Sequence, residues 1–125
     1  MKVLMAVALV GGLWSGAASA QSGDKAKGER AFNQLCKTCH IVERGKKPGL
    51  GPNLFGFFGR KAGAGEGFKY SEAMVASGIV WDESTLAEYL KDPKSRIPGN
   101  KMVFVGIKRQ DQLDDLIAYL KKATQ

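Results

Sequence analysis

Apolar and polar positions alternate at helical spacing most clearly near the end of the 125-residue chain. Four apolar residues there fall at positions i, i+3, i+4 and i+7, namely Leu113, Leu116, Ile117 and Leu120. Acidic residues lie early in this stretch and Lys121 and Lys122 lie late, which is the order that the helix dipole favours. The pattern predicts a helix over residues 110–122.

A second helical pattern begins near Asp24, a good N-cap residue, and places Ala31, Phe32 and Leu35 on one face. Gly28 lies inside this stretch, where a glycine costs about 1 kcal/mol relative to alanine. Either its missing side chain lets another helix approach closely, or the helix start simply tolerates it. In both cases the helix delivers the chain to Cys36.

Two shorter helices are predicted in the middle of the chain. Ser71 can cap one that runs through Gly78, and Asp82 or Ser84 can cap another that Pro93 ends. The apolar face of the second contains Leu86, Tyr89 and Leu90. No alternation with a period of two is sustained anywhere, so the predicted fold class is all-α, with about five short helices.

Residues 45–67 are rich in glycine and also contain Pro48 and Pro52, so a long helix or strand is not expected there. Four apolar residues in this loop would be unusual on a solvated surface, namely Leu54, Phe55, Phe57 and Phe58. Some of them are therefore expected to pack against a bound cofactor.

Residues 1–20 have the organisation of a secretory signal peptide: Lys2, an apolar run, and then Ala18-Ser19-Ala20 as the cleavage site. A retained membrane anchor is the alternative, but glycines at 11, 12 and 16 break the apolar run early. Cleavage after Ala20 would leave residues 21–125 as a single domain. Without Lys2 the chain has 18 basic and 12 acidic residues, a formal charge of +6.

The sequence Cys36-Lys37-Thr38-Cys39-His40 is a C-x-x-C-H motif, the signature of covalent haem attachment. The two thiols can form thioethers with one porphyrin edge, and the imidazole of His40 can be the proximal iron ligand. A zinc site would need four ligands, but the chain has only two cysteines and one histidine. A disulfide oxidoreductase would carry the motif at a helix start in a βαβ unit, whereas here it follows a helix.

A second axial ligand is found by elimination. No second histidine exists, and methionine is the remaining soft ligand. Met1 and Met5 would leave with the signal peptide, so Met74 and Met102 remain. Met74 lies in a predicted helix and is expected to pack in the core, whereas Met102 follows a Pro-Gly turn that can present a side chain inward. Met102 is therefore favoured.

The chain resembles the class I cytochromes c, in particular the short bacterial cytochrome c2 type that is closest to the mitochondrial protein. The resemblance covers residues 23–124. Besides the haem motif it rests on Gly51-Pro52-Asn53-Leu54, Gly59-Arg60, Gly67-Phe68-Lys69-Tyr70, Trp81, Glu88-Tyr89-Leu90, Ile97-Pro98-Gly99-Asn100-Lys101-Met102 and the stretch 115–122.

The resemblance also implies roles for individual residues. The carbonyl of Pro52 would accept a hydrogen bond from the proximal imidazole, and Arg60, Tyr70 and Trp81 would be buried partners of the haem propionates. Tyr89 and Asn100 would flank the methionine ligand, although Asn100 stands where the mitochondrial protein commonly has threonine. Four residues match the crossing of the first and last helices: Gly28, Phe32, Leu116 and Tyr119.

By this resemblance the protein would be a monomeric, periplasmic one-electron carrier with a single haem c and no enzymatic activity. Electrons would pass from a cytochrome bc complex to a terminal oxidase or a photosynthetic reaction centre. Basic residues would surround the haem edge and dock acidic partners, namely Lys37, Lys94, Arg96, Lys101, Lys108 and Arg109. The rivals are a gas-binding sensor or enzyme with a displaced methionine, and a basic binding module. Nucleic acid is not an expected partner, because the basic residues form no dense run.

Overall fold

The computed structural model describes residues 11–12 and 23–125. Its helices are α1 (Lys25–Leu35), α2 (Glu72–Ala76), α3 (Glu83–Lys91), α4 (Pro93–Arg96) and α5 (Gln110–Ala123). Within these residues β-structure is limited to two isolated bridges, Ile41 to Asn53 and Lys61 to Val80. The predicted all-α class is confirmed.

The predicted signal peptide lies outside the described residues, apart from Gly11 and Gly12. In the part of the chain that is described, no helix has both the length and the apolar character needed to cross a membrane.

Side chains cap the starts of the helices at the predicted places. Asp24 accepts hydrogen bonds from the amides of Ala26 and Lys27 at the start of α1. Ser71 Oγ accepts from the amide of Met74 at 3.0 Å, and Asp82, rather than Ser84, accepts from the amide of Thr85 at 2.8 Å. Each cap satisfies a backbone N–H that the first helical turn leaves without a partner.

Pro93 has a second role besides the predicted one of ending α3. Helix α3 ends at Lys91, and Pro93 is the first residue of α4, a helix that the sequence analysis missed. Asp92 caps α4, because its side chain accepts from the amide of Ser95 at 3.2 Å. A proline is tolerated at the first helical position because the N–H that it lacks would have no intrahelical partner there.

The core forms where α1 crosses α5 and where α3 packs against α5. The rings of Phe32 and Tyr119 lie 5.4 Å apart at the crossing, and Leu113 and Leu116 of α5 are 0% exposed. Leu35 was predicted to lie on the same face of α1 as Ala31 and Phe32, but it is 42% exposed. The buried part of that face therefore ends at Phe32.

Gly28 is the residue that permits this crossing. A Cβ atom at position 28 would overlap the backbone carbonyl of Asp115 and would lie 2.7 Å from Cβ of Tyr119. Of the two explanations for Gly28, close approach of another helix is therefore correct, because the backbones of α1 and α5 lie too close together for any side chain.

We expect Gly28→Val to lower the free energy of unfolding by about 3 kcal/mol, the upper range for an overpacked core. The added side chain would meet backbone, which cannot move aside as a flexible side chain could. Asn33→Val is the matched control, because it places the same residue on the exposed surface of α1. Denaturant unfolding of the haem-loaded variants is the measurement, and equal midpoints for the two would contradict the prediction.

The long connection from α1 to α2 wraps around one end of the helices. Its path is fixed by backbone hydrogen bonds, among them Leu54 to Ile41 at 2.8 Å and Gly56 to Thr124 at 2.6 Å. No helix or strand interrupts residues 45–67, as their glycine content predicted. The loop and the helices together enclose a cavity.

Candidate haem-binding site

A cavity of about 380 Å³ lies between the end of α1, the wrapping loop, α2, α3, α5 and the loop after α4. This volume falls within the range of about 300–1,000 Å³ for small-molecule and cofactor sites. The cavity is lined by all four predicted attachment and ligand residues, namely Cys36, Cys39, His40 and Met102. The first and the last of them are 66 sequence positions apart.

The C-x-x-C-H motif forms a tight turn at the end of α1. The amides of Cys39 and His40 both donate to the carbonyl of Cys36, at 3.1 and 2.9 Å. This turn keeps both thiols on the wall of one cavity. Burial, followed by the nearby Cys39, raises the pKa of Cys36 to about 11. The Cys36 thiol is therefore protonated at neutral pH when it is not bonded to a haem.

His40 is oriented by backbone on two sides. Its Nδ1 lies 2.9 Å from the carbonyl oxygen of Pro52, which can only accept, so Nδ1 donates and Nε2 keeps a lone pair. Burial lowers the pKa of His40, and the hydrogen bond to Pro52 opposes this effect only partly. A neutral imidazole with an available Nε2 is the form that can bind a metal.

Gly51 contacts the ring of His40, a role that the sequence analysis did not assign. A Cβ atom at position 51 would lie 2.7 Å from Cε1 and 2.9 Å from Nδ1 of His40. Only glycine fits beside the ring in this orientation. The sequence signal was a glycine directly before Pro52, but a glycine in a glycine-rich loop does not by itself indicate what it touches.

Met102 lies on the loop after α4, just beyond a tight turn. Asn100 N donates to the carbonyl of Ile97 at 3.1 Å, Pro98 takes the second position, and Gly99 takes the third with φ of +88°. These are the features of a type II turn, in which the third residue needs a positive φ. The turn directs the loop so that half-buried Met102 reaches the cavity.

Met74 packs against the core, as predicted, and it also reaches the cavity. It lies in α2, is half-buried, and lines the cavity while packing against the core cluster. Two thioethers therefore line the same cavity: that of Met74 is on a helix and that of Met102 is on a loop. The position of Met74 alone does not exclude it as a ligand.

Arg60, Tyr70 and Trp81 are brought together at the cavity as predicted, although they come from three separate segments. A Cβ atom at Gly65 would contact the hydroxyl of Tyr70 and would lie 3.1 Å from a terminal nitrogen of Arg60. These two polar groups therefore lie close to one another. Trp81 packs against Tyr89 with ring centroids 5.2 Å apart.

Tyr89 and Asn100 meet beside the Met102 loop. The hydroxyl of Tyr89 donates to Oδ1 of Asn100 at 3.2 Å. Tyr89 is only 5% exposed, and burial raises its pKa to about 12. It is therefore a neutral hydrogen-bond donor across the physiological pH range.

The four apolar residues of the wrapping loop divide into two groups. Leu54 and Phe57 line the cavity, as some of the four were expected to do. Phe58 instead packs on the core cluster, and Phe55 lies under Arg44, whose guanidinium carbon is 5.0 Å from the ring centroid. The expectation of cofactor contact is supported for Leu54 and Phe57.

The opening of the cavity is more apolar than the sequence analysis suggested. Three aliphatic residues both line the cavity and face solvent: Leu35, Leu50 and Val103, which are 42%, 77% and 98% exposed. Leu50 and Val103 are 53 positions apart, so their meeting at the same opening could not be predicted from the sequence.

The cavity suits a haem of the c type. Its lining is mainly apolar, as a porphyrin face requires, and its donors are two thiols, one imidazole and thioethers. Arg60 and Tyr70 supply polar hydrogens where the acidic side chains of a porphyrin would need partners. Cys36 and Cys39 would hold the group covalently, and His40 and Met102 would bind its metal.

Comparison with known proteins agrees with this site. Residues 25–124 match the family model described as cytochrome c. Cytochrome c of Chlamydomonas reinhardtii is 51% identical over 86% of this chain and 96% of its own length. Cytochrome c2 of Rhodomicrobium vannielii is 50% identical over 95% of this chain and 94% of its own. Cytochrome c2 iso-2 of Magnetospirillum molischianum is 58% identical over 70% of this chain and 89% of its own length.

Proposed function

Because the chain belongs to the cytochrome c family, we propose that it is a periplasmic one-electron carrier in which His40 and Met102 bind the haem iron. Members of this family are electron-transfer proteins, not enzymes, and carry one covalently attached haem c. The haem supplies the redox chemistry, with its iron alternating between the ferrous and ferric states.

One observation carries the proposed ligand set: Cys36, Cys39, His40 and Met102 line a single cavity. If His40 and Met102 both held the iron of the haem, no coordination site would be left for a substrate. Methionine together with histidine also favours the ferrous state more than two histidines do. This arrangement suits electron exchange rather than catalysis.

The surrounding residues would keep the site unchanged between the two oxidation states. Pro52 and Gly51 hold the imidazole of His40 by a hydrogen bond and by contact. The apolar walls would keep water away, Arg60 would offset the negative charge of the haem propionates, and Tyr70 would donate a hydrogen bond to them. A rigid site of this kind loses little energy to rearrangement during transfer.

We further propose that residues 1–20 direct export and are then removed, so that the working protein is a monomer of residues 21–125. The support is the sequence pattern of a signal peptide and the resemblance to cytochromes c2. N-terminal sequencing of protein from a periplasmic fraction should begin at Gln21. Protein that retains Met1, or that is confined to the cytoplasm, would contradict this proposal.

The proposed donor is a cytochrome bc complex, and the acceptor is a terminal oxidase or a photosynthetic reaction centre. The decisive experiment is to mix the purified ferrous protein with reaction centres that a flash has oxidised, and to follow their re-reduction. Oxygen uptake by membranes tests the oxidase in the same way. A protein that serves neither acceptor would contradict the proposed partners.

The structure changes the expected docking surface, because several of its basic groups are already engaged. Arg96 Nε lies 3.0 Å from a carboxylate oxygen of Glu88, and Arg109 pairs with Asp111. Lys101 Nζ and Lys108 Nζ donate to backbone carbonyls at 3.1 and 2.6 Å. The charges of Lys101 and Lys108 are not neutralised by these carbonyls, and Lys37 and Lys94 are exposed and form neither a salt bridge nor a side-chain hydrogen bond among the described residues.

We expect Lys37→Glu to slow association with an acidic redox partner severalfold at about 10 mM salt and to have little effect at about 300 mM, where charges are screened. Lys37 lies between the two cysteines, next to the cavity. Lys25→Glu is the matched control: it changes the net charge equally, but Lys25 starts α1, about 15 Å along the helix from Leu35. Second-order rates measured across this salt range, if identical for the two variants, would exclude a localised basic face.

A further inference from the structure

We propose that Asn100 is a positioning residue that holds the Met102 loop in place, and that its side-chain amide does so by using its full hydrogen-bonding capacity. The inference rests on the proposed ligation of Met102. It goes beyond that proposal by assigning the stability of the ligand to one side chain that does not touch the metal.

The amide of Asn100 forms four hydrogen bonds. Its Oδ1 accepts from the backbone N of Met102 at 3.0 Å and from the hydroxyl of Tyr89 at 3.2 Å. Its Nδ2 donates to the carbonyl of Pro93 at 2.9 Å and to that of Ile97 at 2.8 Å. A primary amide has two N–H donors and an oxygen with two lone pairs, so every group is used.

The hydrogen-bond partners also determine which end of the Asn100 amide is the oxygen and which is the nitrogen. The two carbonyls can only accept, so they require the NH₂ end, and the backbone N–H of Met102 can only donate, so it requires the oxygen. If the amide were flipped, the three contacts with backbone groups would become repulsive, although the Tyr89 hydroxyl could turn to accept. The side chain is therefore held in a single orientation.

These bonds connect α3, α4 and the turn before Met102 through one side chain, in addition to the backbone hydrogen bonds from Ile97 N to Pro93 and from Asn100 N to Ile97. Tyr89 belongs to α3, Pro93 is the first residue of α4, and Ile97 begins the turn before Met102. The Met102 amide is thereby tied to the α3–α4 unit. Val103 and Val105, in contrast, are 98% and 87% exposed, so the packing of the chain beyond Met102 comes from Phe104 and Ile107 rather than from these valines.

A threonine at position 100 could not replace this network. A hydroxyl has one donor and two acceptor lone pairs, so it could satisfy one of the two carbonyls at most. The asparagine of this chain therefore restrains the loop more completely than the threonine common in mitochondrial relatives would. Asn100→Thr should release the loop in part.

The test measures how readily an external ligand displaces Met102. Ferric wild-type protein, Asn100→Ala and Asn100→Thr are titrated with imidazole, while absorption reports the thioether–iron bond. We expect Asn100→Ala to raise the apparent imidazole affinity by about tenfold to a hundredfold, the equivalent of one or two lost buried hydrogen bonds. Asn100→Thr should lie between the two. The same samples should show faster hydrogen exchange at the Met102 amide in Asn100→Ala.

Asn53→Ala is the matched control. Asn53 is also half-buried and its amide is also bonded at both ends, with Nδ2 donating to Glu43 and Lys46 carbonyls at 2.6 and 3.0 Å and Oδ1 accepting from the amide of Phe55 at 3.0 Å. Its partners all belong to the wrapping loop. Asn53→Ala should lower overall stability but leave imidazole affinity and Met102 exchange near the wild-type values.

The outcomes separate this inference from the proposed function. If the wild type binds imidazole as readily as Met102→Ala does, the ligand assignment and the inference both fail. If the wild type has a thioether–iron bond but Asn100→Ala behaves like Asn53→Ala in affinity and exchange, the inference alone fails. Greater imidazole affinity and faster Met102 exchange in Asn100→Ala only would support it.

Discussion

Replacing both Cys36 and Cys39 with alanine is expected to release all the haem from the polypeptide in acid–acetone extraction, whereas the wild-type chain should retain it. The two thiols line the cavity at one turn of backbone, so each can form one thioether with the same porphyrin. Each single variant should retain less haem than the wild type but more than the double variant, because only one covalent link can form. Mass spectrometry of the wild type should give residues 21–125 plus one haem.

The same variants should affect folding, because the haem would occupy the centre of the domain. Without the haem, the mainly apolar lining of the cavity would be exposed to water, which would remove much of the hydrophobic stabilisation of so small a domain. Total stabilities of domains are about 5–15 kcal/mol. The double variant, which cannot hold the haem covalently, is therefore expected to show much weaker helical circular dichroism than the wild type.

Thr38→Ala is the control for the attachment experiment, because it changes the motif between the cysteines and keeps both thiols and His40. It should retain haem through extraction and fold normally. Haem that extracts freely from the wild type, or that stays bound to the double variant, would show that the cysteines are not the attachment points.

Local sequence signals predicted the helices well where one residue determines the outcome. Asp24 and Asp82 cap α1 and α3, and the apolar spacing of α5 matches its observed bounds, Gln110–Ala123. The sequence analysis located the end of α3 before Pro93 but not the start of α4, because a proline that cannot continue one helix can begin the next when Asp92 precedes it. Local rules allow both outcomes, and the path of the chain decides between them.

The candidate site was predictable in its residue types but not in its support. The C-x-x-C-H motif names its own chemistry, and elimination reduced the other ligand to two methionines. The contact of Gly51 with His40 and the four bonds of Asn100 depend on residues that only the folded chain brings together. The pairing of Arg96 with Glu88, eight residues apart and outside a single helix, was likewise not evident from charge counts.

Met102→Ala is expected to open the sixth coordination position of the iron to water or imidazole and to lower the reduction potential by on the order of 100 mV, within the span of about 0.8 V that axial ligands control. The thioether favours the ferrous state, so its loss favours the ferric state. Truncation of a methionine in a packed site should also lower the free energy of unfolding by about 2–5 kcal/mol. Absorption spectra, imidazole titration and potentiometry are the measurements.

Met74→Ala is the necessary control, because Met74 also lines the cavity and is also half-buried. Two features favour Met102 as the ligand: its backbone amide is anchored by Asn100, and its loop is shaped by a Pro-Gly turn rather than by the short helix α2. Met74→Ala should therefore lose stability through its packing, yet keep the thioether–iron absorption and the potential of the wild type. If Met74→Ala instead loses that absorption and Met102→Ala keeps it, the ligand is Met74, and the loop would serve only to close the cavity.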